Sequence, residues 1–407
     1  MQSPIDSPAL AIVGGGQLAR MMEQAAVSLA VPVHLLAEGP DVSAAQVNPA
    51  TTVGDYRDLA TLRGVAEGCA VVTFDHEHVP PEHLRALDAE GHACRPGPHA
   101  LLFAQDKREM RERLTALGVP CPRWAPVSDA AGLDRFAADG DGYPVVVKTT
   151  RGGYDGKGVW VVEDAGAAAE VFAAGVPLIA EELVDFRREL SALAARSPSG
   201  QVATYPVVES KQENGICREV IAPAPGLDPE RAAEAEMLAM RVAAELDVVG
   251  ILAVELFETA DGRILVNELA MRPHNTGHWT MDGAETSQFE NHLRAVLDLP
   301  LGSPRARARW TVMVNILGGE VGHLYDAYPH VMARDPGLKV HLYGKAVKPG
   351  RKVGHVNVYG DDLDDLLARA RHAAAWFEGR LDDDVDPDDE DRDDVDPDEW
   401  DRGSTGE

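Results

Sequence analysis

Two glutamates lie in a segment, residues 254–268, that has the pattern of a β-hairpin with Asp-Gly at its turn. If the turn consists of this Asp-Gly pair alone, counting back along both strands pairs Glu255 with Glu268. Directly opposed carboxylates repel each other across about 5 Å, so they require a shared proton or a cation. Oxygen ligands suit Mg²⁺, which proteins typically hold through one or two carboxylates together with substrate phosphates. The hairpin therefore predicts a metal site that serves phosphate chemistry.

An arginine extends this pattern. Side chains alternate along a strand, which places Arg272 on the face of Glu268 with the small Ala270 between them. Carboxylates for a metal and an arginine for developing phosphate charge are what phosphoryl transfer requires. A surface hairpin with two solvated glutamates is the alternative, and the apolar neighbours Val254 and Leu265 argue against it.

A glycine-rich segment, residues 148–158, contains four glycines and two lysines between two predicted strands. A Walker loop needs G-x-x-x-x-G-K-[ST] at the start of a helix, so that class of phosphate site is excluded. A glycine loop between strands is instead typical of a flap whose N–H groups approach phosphate oxygens, while Lys148 directs a charge at the same phosphates. An ordinary hairpin loop is the alternative. Only 8 of the 38 basic residues are lysines, so two in this segment favour the phosphate interpretation.

Three other segments carry weaker signals. Residues 14–19 match G-x-G-x-x-A, and Glu38 follows at the spacing of a ribose-binding acid, which taken alone indicates a dinucleotide-binding oxidoreductase. Many α/β domains use such glycines merely to turn tightly, so the dinucleotide interpretation is the less favoured one. Residues 179–184 offer strand backbone to an adenine edge, with Glu189 beyond for ribose hydroxyls. Residues 345–355 contain several basic residues and no acidic one, which is sufficient to bind one phosphate group, although a solvated loop is the alternative.

The elements that must position these groups alternate between strands and helices from about Leu10 to Ala100. Short apolar runs, glycine turns and helical periodicity predict a doubly wound α/β unit there. The predicted strands are at 9–13, 31–36, 70–74, 143–148, 159–162, 178–181, 252–257 and 263–269, and the predicted helices are at 105–117, 230–246 and 363–377.

Composition sets the remaining bounds. The chain has 407 residues, 45% hydrophobic and 26% charged, which is typical of a soluble globular protein with two to four domains. Its net charge is −29, and residues 381–407 hold 15 acidic and 2 basic residues, so we expect a disordered acidic tail. Such a charge argues against nucleic acid and anionic membranes as partners. Four scattered cysteines and the lack of an apolar span or signal-peptide pattern predict a cytoplasmic protein.

Taken in order, these motifs resemble the ATP-grasp superfamily, and within it the 5-(carboxyamino)imidazole ribonucleotide synthase family. The resemblance covers roughly residues 12–358, and the stretches that carry it are G-G-G-Q-L-A-R-M-M, G-G-Y-D-G-K-G, N-E-L-A-M-R-P-H-N-T-G-H-W-T, S-Q-F-E-N-H-L-R-A and P-G-R-K-V-G-H. It implies an α/β (α+β) ATP-grasp fold. The implied domains are a Rossmann-like pre-ATP-grasp domain at 1–104, an ATP-grasp domain at 105–310 with a flap near 151–159, and a small C-terminal domain at 311–380, before the tail at 381–407.

The resemblance also implies a reaction. Members couple ATP, bicarbonate and 5-aminoimidazole ribonucleotide, through carboxyphosphate, to give 5-(carboxyamino)imidazole ribonucleotide, ADP and phosphate in de novo purine (IMP) biosynthesis. The implied metal is Mg²⁺ or Mn²⁺, with no biotin and no NAD. A homodimer is implied, as is transfer of the product to the mutase of the same pathway. In this interpretation the first glycine loop binds the substrate and not a dinucleotide.

Matched position by position, the resemblance implies roles for the following residues. Contacts with ATP are implied for Lys107, Lys148, Gly153, Tyr154, Asp155, Gly156, Lys157, Gly158, Val159, Glu181, Glu182, Leu183, Val184, Glu189, Gln212, Asn267 and Glu268. Metal binding is implied for Glu255 and Glu268. Catalytic positions are implied for Tyr154, Asp155, Lys157, Arg272, His274 and Asn275, with the amine proton assigned to either Asp155 or His274. Contacts with the aminoimidazole ribonucleotide are implied for Gln17, Leu18, Glu77, Lys345 and Arg351.

Several positions depart from the pattern of the family. Asp75 stands where a glutamate is common, Ala270 where many ATP-grasp enzymes have asparagine, Lys107 where arginine is frequent and Gln212 where histidine is frequent. Three alternative functions stay open: formate-dependent glycinamide ribonucleotide transformylase, an NAD-binding oxidoreductase and a nucleotide-binding protein without turnover. The H-N-T-G-H-W run argues against the first, the paired glutamates against the second, and the presence of Glu255, Glu268 and Arg272 against the third.

Overall fold

The computed structural model of the protein describes residues 6–153, 157–213, 215–319 and 321–381. Three residues with predicted roles, Tyr154, Asp155 and Gly156, lie outside the described residues, as does the predicted acidic tail from residue 382 onward. Within these described ranges, none of the helices has the length and apolar character that a membrane crossing needs.

The N-terminal region forms the predicted α/β unit. Its elements are β1 (Leu10–Val13), α1 (Gln17–Leu29), β2 (Val33–Ala37), β3 (Thr51–Val53), α2 (Leu59–Ala66), β4 (Val71–Phe74), α3 (Pro81–Ala89), α4 (Pro98–Gln105) and α5 (Lys107–Ala116). The four strands are parallel in the order β3-β2-β1-β4; β1 is fully apolar and buried, and β2 is apolar and buried except at His34. Because β1 and β4 are neighbours, the loops after them, which carry Gly14 and Asp75, meet at one edge of the sheet.

A second, smaller sheet contains the glycine flap. Its region comprises β5 (Trp124–Val127), α6 (Ala130–Ala138), β6 (Val145–Thr149), β7 (Val159–Val162), α7 (Ala169–Ala173) and β8 (Leu178–Glu182). The strands are antiparallel in the order β5-β8-β6-β7, so the glycine segment connects two neighbouring strands as predicted. Strand β6 ends beside the flap, which places Lys148 at the base of the loop.

The third and largest sheet contains the two paired glutamates. Its region comprises β9 (Phe186–Arg196), β10 (Val202–Thr204), β11 (Val208–Glu213), β12 (Ile216–Ala222), α8 (Pro229–Glu245), β13 (Gly250–Thr259), β14 (Ile264–Ala270), α9 (Thr280–Gly283), α10 (Gln288–Val296), β15 (Trp310–Leu317), α11 (Tyr328–Arg334), β16 (Lys339–Leu342), β17 (Lys352–Gly360) and α12 (Leu363–Phe377). The strand order is β14-β13-β9-β11-β12-β15-β17-β16, with β10 on β9. Strand β15 pairs with β12, so the sheet continues without a break past residue 310.

The hairpin of β13 and β14 differs from the prediction at its turn. The loop has three residues, because Thr259 donates its N–H to the carbonyl of Arg263, and Gly262 takes a positive φ of 81° that glycine adopts without strain. This loop shifts the register by one residue. A bulge at Asn267 shifts it back, so that Glu255 pairs with Glu268 after all. The predicted two-residue turn is wrong, whereas the predicted pairing of the two glutamates is confirmed.

The predicted helix at 105–117 also begins at a different residue. Gln105 ends α4, and α5 starts at Lys107 because the Asp106 carboxylate accepts hydrogen bonds from the backbone N–H groups of Arg108 and Glu109, at 3.0 and 3.3 Å. Aspartate is a strong N-cap, since its side chain satisfies N–H groups that the first turn leaves unpaired. This cap fixes Lys107 in the first turn of α5.

Candidate active site

A continuous cleft runs between the three sheets. It consists of three cavities, which we call the lobe cavity (about 460 Å³), the central cavity (about 480 Å³) and the N-terminal cavity (about 570 Å³). The lobe and central cavities share Lys107, Glu255 and Glu268, and the central and N-terminal cavities share Gln17 and Asp75. The side chains predicted from three separate regions of the chain therefore face one connected space.

The lobe cavity lies between the small sheet and the large sheet. The predicted ATP residues that line it are Lys107, Lys148, Val159, Glu181, Glu182, Leu183, Val184, Glu189, Gln212, Asn267 and Glu268. Apolar side chains, among them Val146 and Val161 from the small sheet, line another part of this cavity. The rings of Phe186 and Phe257 stack there with centroids 4.8 Å apart. A flat apolar slot with strand backbone along one edge suits a purine base. A role for the two phenylalanines was not predicted from the sequence.

The glutamate pair lies where the lobe and central cavities meet. The Lys107 ammonium forms an ion pair with Glu268, and His274 Nε2 lies 3.1 Å from Glu255 Oε1. Burial disfavours the charge of Glu255, but the hydrogen bond and charge of His274, together with the Lys107 charge, hold its pKa below the ordinary value. Glu255 therefore favours its ionised form beside His274, and the Lys107 ammonium lies beside Glu268.

The donor set fits a magnesium ion that is shared with a substrate. Glu255 and Glu268 keep 30% and 40% of their side-chain surface exposed to the cleft. Among the residues that the structure describes, no group of three or more His, Cys, Asp or Glu side chains could hold a metal ion by itself. Two carboxylates are sufficient only if phosphate oxygens complete the coordination, which is how Mg²⁺ is usually bound at nucleotide sites.

Lys148 has a partner that was not predicted. Its Nζ lies 2.7 Å from Glu181 Oε2 and 3.2 Å from Asn267 Oδ1. Burial opposes ionisation of Glu181, but the charges of Arg111 and Lys148 lower its pKa to about 2. The Glu181 carboxylate is therefore committed to these cations, and only the strand backbone at this position is available to an adenine edge. Glu189, farther along the wall, has its pKa raised to about 7 by burial and by the charge of Glu255.

The central cavity brings together three of the six predicted catalytic residues. Arg272, His274 and Asn275 line it, with Glu77, Leu18 and Gly153. Arg272 Nε donates to Glu77 Oε2 at 2.7 Å, and the Met271 N–H donates to the other oxygen of Glu77 at 3.3 Å. Glu77 thus fixes the orientation of the guanidinium rather than facing the cavity alone. Lys352 lines this cavity as well and was noted only as part of the basic segment.

The flap residues are placed only in part. A Cβ at Gly153 would lie 2.7 Å from the carbonyl oxygen of Lys157, and Gly158 has a positive φ of 73°, so the flap base requires both glycines. Lys157 and Gly158 are not among the residues that line the three cavities. Their predicted contacts with ATP stay predictions, as do those of the undescribed residues 154–156.

The N-terminal cavity joins the first glycine loop to the basic segment. Gln17, Lys345 and Arg351 line it, and the Lys345 ammonium donates to Gln17 Oε1 across 328 residues of sequence. Glycine is required at 14 and 16, because a Cβ there would lie 1.7 Å and 2.6 Å from Asp75 carboxylate oxygens. Glycines, a helix N-terminus and two cations around a cavity suit a phosphate group.

Three segments of the chain match models of known protein families. Residues 8–105 match the ribonucleotide synthetase preATP-grasp domain, residues 112–289 the ATP-grasp domain and residues 311–369 the phosphoribosylaminoimidazole carboxylase C-terminal domain. The N5-carboxyaminoimidazole ribonucleotide synthase of Mycobacterium tuberculosis is 54% identical over 389 residues, which cover 94% of this chain and 90% of that protein. The chain belongs to the N5-carboxyaminoimidazole ribonucleotide synthase family.

Solved structures of this family have the same fold. An N5-carboxyaminoimidazole ribonucleotide synthetase in complex with ADP has a TM-score of 0.84 at 36% identity, and the match covers 92% of this chain and 99% of that one. The Aspergillus clavatus N5-carboxyaminoimidazole synthase in complex with ADP and 5-aminoimidazole ribonucleotide also has a TM-score of 0.84, at 30% identity, and the match covers 94% of this chain and 100% of that one. The ATP-grasp fold expected from the sequence is therefore confirmed, and the chain is an ATP-grasp ligase.

Asp75, one of the departures from the family pattern, has a defined position here. It lies in the loop after β4, is almost fully buried, and its Oδ2 accepts the N–H of Gly16 at 2.6 Å at the start of α1. Burial raises its pKa to about 7, and the charge of Glu38 adds to this, against the opposing effects of the Gly16 hydrogen bond, Arg272 and Lys345. The shorter acid thus holds the glycine loop in place between the central and N-terminal cavities.

This position predicts a pH-dependent effect of Asp75→Asn. The folded protein protonates Asp75 at about pH 7 and the unfolded chain only near 4, so this group lowers wild-type stability as pH rises through that window. The amide keeps an acceptor for Gly16 but does not titrate. Relative to wild type, the variant should therefore gain about 2 kcal/mol in free energy of unfolding between about pH 5.5 and pH 8.

Urea denaturation of both proteins at each pH measures this difference. The matched control is Asp41→Asn, which makes the same substitution at an exposed acid on the rim of the same cavity. A constant difference for Asp75→Asn over the same range would show that Asp75 is ionised throughout.

Proposed function

We propose that this enzyme joins bicarbonate to the exocyclic amine of 5-aminoimidazole ribonucleotide at the expense of ATP. The observation that carries the proposal is the single cleft, which connects a purine slot and paired carboxylates at one end to a pocket that contains Lys345, Arg351 and the start of α1 at the other. The structures of relatives with ADP and with 5-aminoimidazole ribonucleotide support both ligands. The products are the N-carboxylated ribonucleotide, ADP and phosphate, and the reaction belongs to purine biosynthesis.

The first step would be transfer of the γ-phosphoryl group. An oxygen of bicarbonate attacks the phosphorus, the bond to the bridging oxygen breaks, and carboxyphosphate and ADP form. Lys107 and Lys148, at the base of the lobe cavity, would hold the phosphates, and Arg272, fixed by Glu77, would neutralise charge that develops on the transferred group. Glu255 and Glu268 would hold a magnesium ion, which would neutralise negative charge on the phosphates.

The second step would consume carboxyphosphate before water does. The amine nitrogen attacks the carbonyl carbon, the carbon–oxygen bond to the phosphate breaks, and the amine loses one proton. Since water competes with the amine for this electrophile, closure of the glycine flap over the central cavity favours the carboxylated product. His274 lines that cavity and Asp155 lies outside the described residues, so the sequence-based choice between these two proton acceptors stays open.

The ribonucleotide phosphate would bind in the N-terminal cavity, between Lys345, Arg351 and the start of α1. Lys345→Gln and Arg351→Gln should each raise the KM for 5-aminoimidazole ribonucleotide by about 10- to 100-fold. Each variant loses one charge-assisted hydrogen bond to the phosphate, and the free energy of such a bond corresponds to that factor. The KM for ATP should stay within about twofold, since the lobe cavity contains neither residue.

Steady-state titration of each substrate tests this assignment. Lys348→Gln is the matched control, because it removes the same charge from an exposed position in the same loop that does not line the cavity. Equal effects at positions 345, 348 and 351 would indicate long-range attraction by the basic segment instead of a phosphate site.

The experiment that tests the proposed function is ADP release with ATP and Mg²⁺, with bicarbonate and 5-aminoimidazole ribonucleotide added separately and together. Release should require both, and ¹⁸O-labelled bicarbonate should leave label in the inorganic phosphate, since carboxyphosphate transfers that oxygen. Turnover with formate and glycinamide ribonucleotide instead would indicate the transformylase, and tight NAD binding without turnover would indicate an oxidoreductase.

The finer assignments belong to the same proposal. We propose Mg²⁺ in preference to Mn²⁺ because the protein ligands are hard oxygens, and a homodimer from resemblance to the family. We also propose that the unstable product passes to the mutase of the pathway, and that the enzyme works in the cytoplasm as the sequence predicts.

A further inference from the structure

Arg111 is the largest charged side chain that lies completely inside the wall of the cleft, with 0% of its surface exposed. It lies one turn after Lys107 on α5. Nε donates to Glu181 Oε1 at 2.7 Å, Nη1 to the carbonyl of Val266 at 2.9 Å, and Nη2 to the carbonyl of Asn267 at 2.8 Å. One guanidinium therefore contacts strand β8 of the small sheet and strand β14 of the large sheet, and residues of both strands line the lobe cavity.

The two carbonyls that Arg111 binds belong to the bulge. In a regular strand, successive carbonyls point to opposite edges, so two neighbouring ones reach the same donor only where this alternation is interrupted. The interruption lies at Asn267, and β14 is the edge strand of its sheet, so no further strand satisfies these carbonyls. The same bulge returns Glu268 to its position opposite Glu255. Arg111 thus stabilises the local geometry that pairs the two carboxylates.

The hydrogen bond from Arg111 to Glu181 also positions Lys148. Glu181 accepts from Arg111 at one oxygen and from Lys148, at 2.7 Å, at the other. Lys148 Nζ also donates to Asn267 Oδ1 at 3.2 Å, which closes a ring from Arg111 through Glu181 and Lys148 to Asn267 and back to Arg111. A planar guanidinium with donors in fixed directions suits this geometry, and an ammonium at the same place reaches fewer of the acceptors.

We infer that Arg111 is a positioning residue for the ATP half-reaction: it fixes the Asn267 bulge, and so Glu268, while orienting Lys148 through Glu181. This inference rests on the proposed function for the identity of the reaction, but the ATP site it concerns is defined by the ATP-grasp fold. Arg111 itself touches no substrate, since it is absent from the lining of all three cavities.

The test compares Arg111→Lys and Arg111→Met with wild type. Affinity for Mg-ATP is measured by calorimetry without the aminoimidazole, and the Mg²⁺ concentration for half-maximal rate is measured with it. Arg111→Lys should weaken Mg-ATP binding about 10-fold and lower kcat about 10- to 100-fold, while the KM for 5-aminoimidazole ribonucleotide stays within about twofold. Because the calorimetry needs no aminoimidazole, it tests Arg111 even if turnover requires another acceptor.

Two further comparisons separate positioning from folding. Arg113→Lys and Arg113→Met are matched controls on the same helix, where the side chain is half exposed and bonds the Glu245 carbonyl, and both should behave as wild type. If Arg111 acts through Glu268, the double variant Arg111→Lys/Glu268→Gln should lose less activity than the product of the two single losses. Wild-type Mg-ATP affinity and kcat in folded Arg111→Lys, or strictly multiplicative losses, would overturn the inference.

Discussion

Glu268→Gln should reduce ADP formation on the order of 1000-fold, or about 4 kcal/mol in activation free energy, which is the upper range for loss of one preorganised charge. Glu268 lies opposite Glu255 in the hairpin and forms an ion pair with Lys107. Its carboxylate can therefore bind a metal and also position the lysine that would contact the phosphates. The amide keeps the shape but not the charge. The loss should therefore fall mainly on kcat, and the Mg²⁺ concentration for half-maximal rate should rise.

A magnesium titration at saturating ATP, bicarbonate and aminoimidazole measures both effects. Glu230→Gln is the control, since it makes the same change at an exposed position in the first turn of α8 and should leave kcat and the Mg²⁺ requirement unchanged. If Glu268→Gln retains wild-type kcat at moderate Mg²⁺, the glutamate pair is not the metal site.

The local elements could be predicted because their signals are short-range. Short apolar runs and glycine turns predicted β1, β4, β6 and β7, and the last helix was predicted with the bounds that the structure has. Strand β9, which is 11 residues long and lies at the centre of the large sheet, was not predicted. Its sequence mixes charges and alanines, and its place between β13 and β11 depends on pairing with distant segments.

The candidate site was predictable to the extent that residue type reveals chemistry. Glycines, lysines and paired glutamates are conspicuous in a sequence, and the structure places Lys148, Glu268 and Lys345 along one cleft. Arg111 was not found, because it is one of 30 arginines and its helix has the sequence pattern of an ordinary charged helix. Only the tertiary packing that removes it from water distinguishes it from Arg113.

The hairpin shows how a prediction can reach the right pair by an incomplete argument. A two-residue turn and a regular ladder give the same pairing of Glu255 with Glu268 as a three-residue turn followed by a bulge. The bulge is invisible to a count along the chain, since it depends on the Arg111 guanidinium that binds the carbonyls of Val266 and Asn267. The three-residue turn shifts the strand register by one residue, and the bulge at Asn267 shifts it back.

Arg272→Met should reduce product formation about 1000-fold and Arg272→Lys about 100-fold, because the lysine restores a charge but not the forked geometry. Arg272 lines the central cavity beside Glu268, and Glu77 fixes its Nε at 2.7 Å, so its remaining donors are directed before substrate binds. Mg-ATP affinity should stay within about threefold of wild type, since Arg272 does not line the lobe cavity.

Measuring ADP and the carboxylated product in the same assay determines the step in which Arg272 acts. If Arg272 stabilises the γ-phosphoryl group during transfer to bicarbonate, the rates of ADP release and of product formation fall together. The ratio of ADP to carboxylated product then stays at about one. If it acts only when the amine attacks carboxyphosphate, ADP release continues and carboxyphosphate is lost to water, so the ratio rises. Arg263→Met, at the exposed turn of the same hairpin, is the control and should change neither quantity. We expect the constant ratio, because Arg272 lines the same cavity as the glutamate pair, where we propose that the phosphoryl group is transferred. A rising ratio would instead assign Arg272 to the second step.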